Sequence, residues 1–256
     1  MGKILLLRRK PLVVLACALA AALMFYVVNY PYATTASATK RQLPIYCVQR
    51  DQKMVSISFD AAWGNEDTQQ LIDILGQYDV TATFFVVGAW VDKYPESVKA
   101  LADAGHEVMN HSDSHAHMSQ LSSEEIVADI NACNDKIEAV TGVRPTLVRP
   151  PYGEYDDHVI STIRSMGMEP IQWDVDSLDW KDLSAGDITQ RVVSKVQPGS
   201  IVLFHNAALH TPEALPGIIE TLLQDGYTFV PISQIILSGE CGTDYTIDHT
   251  GRQCPC

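Results

Sequence analysis

From residue 54 to residue 232 short apolar, β-branched or aromatic runs alternate with stretches of helical period, and this rhythm restricts the fold more than any other feature of the chain. Residues 55–59, 83–87, 106–111, 147–149, 170–175, 200–205 and 227–232 read as strands. Between them 66–78, 95–104, 122–140, 156–166, 185–196 and 211–224 read as helices. Ser122 and Glu125 form a capping-box pattern, and Gly105, Gly142, Gly167 and Gly226 stand where helices should stop. Strict alternation with strands apolar on both faces implies parallel pairing and an α/β fold. A closed or nearly closed barrel of about seven strands fits, and a doubly wound open sheet is the alternative. The phosphate loops G-x-G-x-x-G and G-x-x-x-x-G-K-[ST], which such sheets often carry, are absent.

The ends of the chain differ from this middle. Residues 1–50 hold seven Lys/Arg and no Asp or Glu, while all 31 acidic residues follow, for a net charge of −13. That balance argues against nucleic acid as a partner. Residues 11–28 carry no charge and follow Lys3, Arg8, Arg9 and Lys10. Such a run is long enough for a transmembrane helix, for which roughly 17–25 residues suffice. The basic flank places the tail in the cytoplasm and the body outside, as a single-pass membrane protein. Cleavage near Thr35-Ala36-Ser37-Ala38, giving a secreted protein, is the alternative. The expected organisation is therefore a basic tail and signal anchor over 1–32, a linker over 33–51, a domain over 52–238 and a Cys-containing surface tail over 239–256. Cys47, Cys133, Cys241, Cys254 and Cys256 lie outside the apolar run, and Cys241 with Cys254 or Cys256 is a candidate staple for the tail.

Polar residues gather at the strand ends. Asp60, His111, Arg149, the run Asp174 to Asp179, and His205 each close a strand at the same end, where barrels of this kind carry their active sites. His111 and His115 are four apart, so a helical turn would bring both rings to one side as ligands for zinc or a similar divalent ion. Asp60 is a general base or the third ligand. His205 is a general acid for a leaving amine. Asp176 is expected to orient His205 and raise its pKa, and Arg149 to hold Asp60 ionised through a bidentate pair. No G-x-S-x-G elbow is present, so an activated water fits better than a covalent nucleophile.

These residues resemble the polysaccharide deacetylases with the NodB homology domain (carbohydrate esterase family four) over about residues 52–236. Ser58-Phe59-Asp60, His111-Ser112-Asp113-Ser114-His115, Arg149-Pro150-Pro151-Tyr152-Gly153, Asp174 to Trp180, and Ile201-Val202-Leu203-Phe204-His205 resemble its five motifs in order. The resemblance implies a deformed (β/α) barrel of seven or eight parallel strands. It implies metal-dependent removal of N-acetyl groups from peptidoglycan or chitin-like amino sugars, with zinc, cobalt or manganese as cofactor. It also implies roles by position: Asp60 as base, His205 as acid, Arg149 and Asp176 as their partners, and His111 and His115 on the metal. Tyr152 would supply an oxyanion-hole N–H, and Leu203 and Trp180 would line the pocket.

The family's first motif usually has a second aspartate that binds the metal. Here that position is Ala61, in a Phe-Asp-x-x-Trp-Gly form similar to the sporulation-associated polysaccharide deacetylase B branch. Asp60 itself then ligates, or Asp113, Glu66 or Asp67 substitutes, or the metal is bound weakly and the protein is a poor enzyme. A catalytically silent, membrane-tethered glycan-binding protein is the rival reading, and an O-acetyl esterase a third.

Overall fold

The computed structural model describes residues 14, 18–22, 24 and 41–256. The chain divides into two units, Met1–Arg41 and Gln42–Cys256. In the first, residues 14, 18–22 and 24 are helical. The expected membrane span falls largely outside the described residues, among which no helix is long and apolar enough to cross a membrane.

The second unit is built on one curled, mixed sheet. Its strands are β1 (Cys47–Val48), β2 (Met54–Ala61), β3 (Thr83–Val86), β4 (Glu107–Asn110), β5 (Leu147–Val148), β6 (Glu169–Pro170), β7 (Val175–Asp176), β8 (Ser200–His205), β9 (Thr228–Phe229), β10 (Tyr245–Ile247) and β11 (Arg252–Pro255). Their order is β10-β11-β1-β8-β2-β3-β4-β5-β6, with β7 on β8 and β9 on β2. The parallel core runs from β8 through β2, β3, β4 and β5 to β6. The pairs β1–β11, β2–β9 and β7–β8 are parallel as well, but β1–β8 and β10–β11 are antiparallel, so the all-parallel expectation fails at those two pairs.

Register decides what faces what, because successive side chains in a strand point to opposite faces. Asp60 pairs with Phe85 and His205, and Ser58 pairs with Thr83 and Leu203. Phe59 pairs with Phe84 and Phe204 on the other face and stacks on both rings, at centroid distances of 4.7 and 5.6 Å. That face, with Val55, Ile57, Ala61 and Val86, packs into the large core that also takes in helical residues such as Leu71, Leu75, Val98, Ile137, Ile188 and Leu215. A second core gathers Phe85, Met109, Leu147, Ile171 and Ile201 on the face that bears Asp60. Both faces are thus buried, which explains strands without polar alternation.

The helices follow the sequence signals closely. Ser123–Thr141 opens with both capping-box bonds formed between Ser122 and Glu125. It ends at Gly142, whose φ of 75° is the left-handed cap that glycine adopts without a Cβ penalty. Gly88–Lys93 is a helix that the periodicity did not reveal.

Both expected chain ends require correction. Residues 42–51 belong to the fold rather than to a linker. Ile45 exchanges backbone hydrogen bonds with Pro170 and Gln172 in a parallel bridge to Ile171, between the two short strands that replace the one expected over 170–175, and Cys47–Val48 joins the sheet. The tail is no surface appendage either. Tyr245 and Gln253 are fully buried, and Ile247 joins the second core. Gln253 exchanges side-chain hydrogen bonds with the backbone of Leu237, at 2.7 and 2.9 Å. Cys241, Cys254 and Cys256 are free thiols, so hydrogen bonding and burial secure the tail without the expected staple.

Candidate active site

The ends of β2, β4, β5 and β8 surround a cleft of about 430 Å3, lined in part by Asp60, His111, His115, Tyr152, Leu203 and His205. At its base Arg149 has no solvent exposure. Its Nη1 donates to Asp60 Oδ1 at 2.7 Å, and its Nη2 donates to Ser58 Oγ at 2.9 Å and to the Gln172 carbonyl at 3.3 Å. The guanidinium lies 4.1 Å from the centroid of Phe85. The pair is therefore monodentate, contrary to expectation, because Ser58 and Gln172 take the second arm of the fork. Asp60 Oδ2 is left facing His111 Nε2 at 3.5 Å. Burial alone would raise the Asp60 pKa, but Arg149, with His111 and His205, holds it below the usual carboxylate value.

His111 Nδ1 lies 2.7 Å from the Arg149 carbonyl, which accepts from the Nδ1–H tautomer and leaves the Nε2 lone pair toward the cleft. Burial pushes the His111 pKa down. Burial and the neighbouring His111 push His115 down to about 4. Both rings are therefore neutral near pH 7. Their centroids are 5.1 Å apart, but no helical turn brings them together. The segment is a tight loop with positive φ at Ser112 and His115. It is tied by Ser112 N–H to Asn110 Oδ1 at 2.7 Å and by Asp113 N–H to Asp129 at 3.0 Å.

The donor set stops there. Among the described residues no group of three or more His, Cys, Asp or Glu side chains is arranged to hold a metal ion. Ala61 is buried on the helix-facing side of β2 and offers no donor atom. Asp113 is tied to Lys136 at 2.6 Å, and Asp67 Oδ2 accepts from Ala207 N–H at 2.9 Å. Two neutral imidazoles reach the three-ligand set typical of an open zinc site only if Asp60 joins them, and Asp60 already pairs with Arg149 through Oδ1, so with Asp60 kept as base the set is one donor short.

His205 is held by Asp179 and not by Asp176. Asp179 Oδ1 lies 2.8 Å from His205 Nδ1, and Oδ2 accepts from His205 N–H at 2.8 Å and from Thr211 Oγ1 at 2.7 Å. Burial lowers the His205 pKa, but the Asp179 hydrogen bond and charge outweigh it, and Asp60 and Asp176 add to the rise. Asp176 lines the cleft while its Oδ1 caps Leu178 N–H, and Asp174 binds Ser200 and Ile201 at the start of β8. The run holds three aspartates within six residues, so spacing alone did not distinguish them.

Tyr152 sits at a φ of +60°, the left-handed region that non-glycine residues rarely adopt and that clusters at functional sites. Its ring stacks on His117 at 4.2 Å and meets the edge of His115 at 4.5 Å. Trp180 and Leu203 line the cleft. Trp63, of the Phe-Asp-x-x-Trp-Gly form, and Trp173 line it as well. Trp63 is 59% exposed, Trp180 56% and Tyr152 55%, so three aromatic faces stand open at the rim.

A family model described as polysaccharide deacetylase matches residues 48–171. Peptidoglycan-N-acetylmuramic acid deacetylase PdaC of Bacillus subtilis is 39% identical over 188 residues, covering 73% of this chain and 40% of that protein. The chain thus spans less than half the length of that relative. Among solved structures, wild-type BA3943 of Bacillus anthracis, a CE4 family pseudoenzyme, has a TM-score of 0.72 at 38% identity, covering 75% of this chain and 68% of that one. The Bc1960 peptidoglycan N-acetylglucosamine deacetylase has a TM-score of 0.73 at 30% identity, covering 76% and 93%.

Proposed function

The chain belongs to the polysaccharide deacetylase family, and from that premise we propose that it hydrolyses N-acetyl groups of cell-wall amino sugars. The observation that carries the reading is the opposed pair at the cleft, an ionised Asp60 facing a His205 whose pKa is raised by Asp179. Asp60 Oδ2 accepts a proton from the attacking water. His205 Nε2, protonated, donates to the leaving nitrogen. The Tyr152 N–H binds the developing oxyanion, and Leu203 and Trp180 seat the acetyl group and sugar. Enzymes of the family are metal-dependent in general, but the residues present here do not complete a metal site, and no step is routed through one. In this proposal residues 11–28 tether the domain outside the membrane.

Acetate release from N-acetylated peptidoglycan and from N-acetylglucosamine oligomers tests the proposal. Release that disappears in both Asp60→Asn and His205→Ala is expected. No release from any such substrate, with or without added zinc, cobalt or manganese, would sink it. A second reading, a glycan-binding protein without turnover, is favoured by Ala61 and by the likeness to a pseudoenzyme. It predicts glycan binding that is unchanged by a chelator and by His205→Ala.

A further inference from the structure

The turn after β8 makes contacts that the proposed chemistry does not use. Asn206 is 4% exposed, and its backbone N–H donates to the Asp60 carbonyl at 3.1 Å. Its Oδ1 accepts from Ala62 N–H at 3.2 Å. Its Nδ2 donates to the carbonyls of Trp63 at 2.9 Å and Gly64 at 2.6 Å. Only a carboxamide can accept one bond and donate two in this arrangement. The Gly64 carbonyl also takes the indole N–H of Trp90 at 2.8 Å, which locks the same segment from its far side.

The next residue is strained. Ala207 has a φ of +54°, unfavourable for a residue with a Cβ. Its N–H is held by Asp67, a buried carboxylate whose Oδ1 has no partner and whose pKa is raised by burial. A strained backbone and a half-satisfied buried acid, both unfavourable on their own, meet beside the candidate acid His205. The segment that Asn206 ties down beside them carries Trp63. Its indole centroid lies 6.1 Å from that of His115 and 6.5 Å from that of His205. Trp63 lines the main cleft and also an adjoining cavity of about 340 Å3, which it shares with Trp180, Asp182, His205 and residues 206–208.

We propose that Asn206 is a positioning residue that fixes the Ala62–Gly64 segment, so that the Trp63 indole stands as the wall shared by the two cavities beside His205. Its consequence for ligands rests on the glycan reading of the cleft: Asn206 governs glycan affinity through Trp63, without touching the sugar that reacts. The arrangement needs the amide, since a carboxylate at this position keeps the bond from Ala62 but turns an oxygen toward two carbonyl oxygens.

The test compares Asn206→Ala, Asn206→Asp, Trp63→Ala and the double variant Asn206→Ala/Trp63→Ala. Calorimetry measures binding of a soluble N-acetylglucosamine tetramer, with thermal unfolding to confirm folded protein. Trp63→Ala and Asn206→Ala each weaken binding about tenfold, and the double variant is scarcely weaker than Trp63→Ala alone. Asn206→Asp, isosteric with asparagine, is affected at least as much as Asn206→Ala and serves alone if the alanine variant does not fold. Losses that multiply in the double variant, or full affinity in Asn206→Asp, overturn the proposal. If the unaltered protein binds no such oligomer, the glycan reading fails and the clamp is judged by proton NMR. Cross-relaxation between Trp63 and His205 that is lost in Asn206→Asp upholds it, and cross-relaxation that is retained refutes it.

Discussion

Replacing Asp179 by asparagine tests the assignment of the acid's partner most directly. Asp179 is 1% exposed and accepts four hydrogen bonds, from Trp180 N–H, His205 N–H, His205 Nδ1–H and Thr211 Oγ1. Asparagine keeps the shape but places an NH2 group at one of the two oxygen positions. Turned one way it opposes Trp180 N–H, and turned the other way it opposes His205 N–H. A backbone donor is stranded either way, at about 1–3 kcal/mol, and the charge-assisted bond to the imidazole is lost. Together these predict a destabilisation of about 2–4 kcal/mol at pH 6.

The variant should also change the pH dependence of stability. In the unaltered protein the His205 pKa lies above its ordinary value of 6.5. The ion pair's contribution is then fully present below pH 6.5 and is lost as pH rises through the folded-state pKa. Without the Asp179 charge, burial dominates and the His205 pKa falls below 6.5, which reverses that slope. Urea unfolding between pH 5.5 and 9, in steps of about one unit, reads the slope, and NMR titration of the His205 ring reads the pKa. If Asp176→Asn lowers the His205 pKa as far as Asp179→Asn does, or if Asp179→Asn leaves it above 6.5, the assignment is wrong.

His106 is buried against Phe84, accepts from Ala82 N–H at 3.2 Å, leaves Nε2 without a partner, and has its pKa pushed down to about 4 by burial. The unfolded chain takes up its proton first, so stability falls between pH 6.5 and 4 by about 3 kcal/mol, and His106→Phe should flatten that part of a urea-midpoint profile. Arg149→Met leaves the Asp60 charge buried and unpaired and should cost about 3–5 kcal/mol in urea unfolding, much of which Asp60→Asn in the same chain restores. A loss of less than about 1 kcal/mol in the single variant would show that Asp60 is already neutral. Because the two imidazoles have beside them only Asp60, already paired with Arg149, dialysis against a chelator should leave the unfolding midpoint unchanged. Zinc titrated back should bind weakly and no longer bind in His115→Ala, whereas a near-stoichiometric binding curve would show that Asp60 or a further donor completes the set.

The strands that carry the site were legible because both of their faces are buried. Ser200–His205 and the helix Thr211–Gln224 match their sequence-derived limits, and Ser122, Glu125 and Gly142 bound their helix as read. Placing Asp60, His111, Arg149 and His205 at one end required only that successive strands run parallel. The weaker signals lay in short segments without periodicity. A two-residue strand such as β1 is too short to show a period, and β10 and β11 belong to the fold only because Tyr245, Ile247 and Gln253 find buried places in it. Tyr152, Ala207 and His115 adopt positive φ, which nothing in their residue types announces.

The sequence by itself determined the α/β character, the parallel core and the set of ionisable groups at one end, since these follow from periodicity and chain order. Tertiary structure decided which partner each group receives. Asp174, Asp176 and Asp179 are chemically alike and close in sequence, yet one binds the start of β8, one caps Leu178 and one holds His205. The same holds for the fork of Arg149, divided among Asp60, Ser58 and Gln172, and for Asn206, whose amide reaches back across the sheet to the turn after Asp60. The physical reason is that a hydrogen bond depends on distance and direction over a few ångströms, and those are set by the register and packing of segments far apart in the chain.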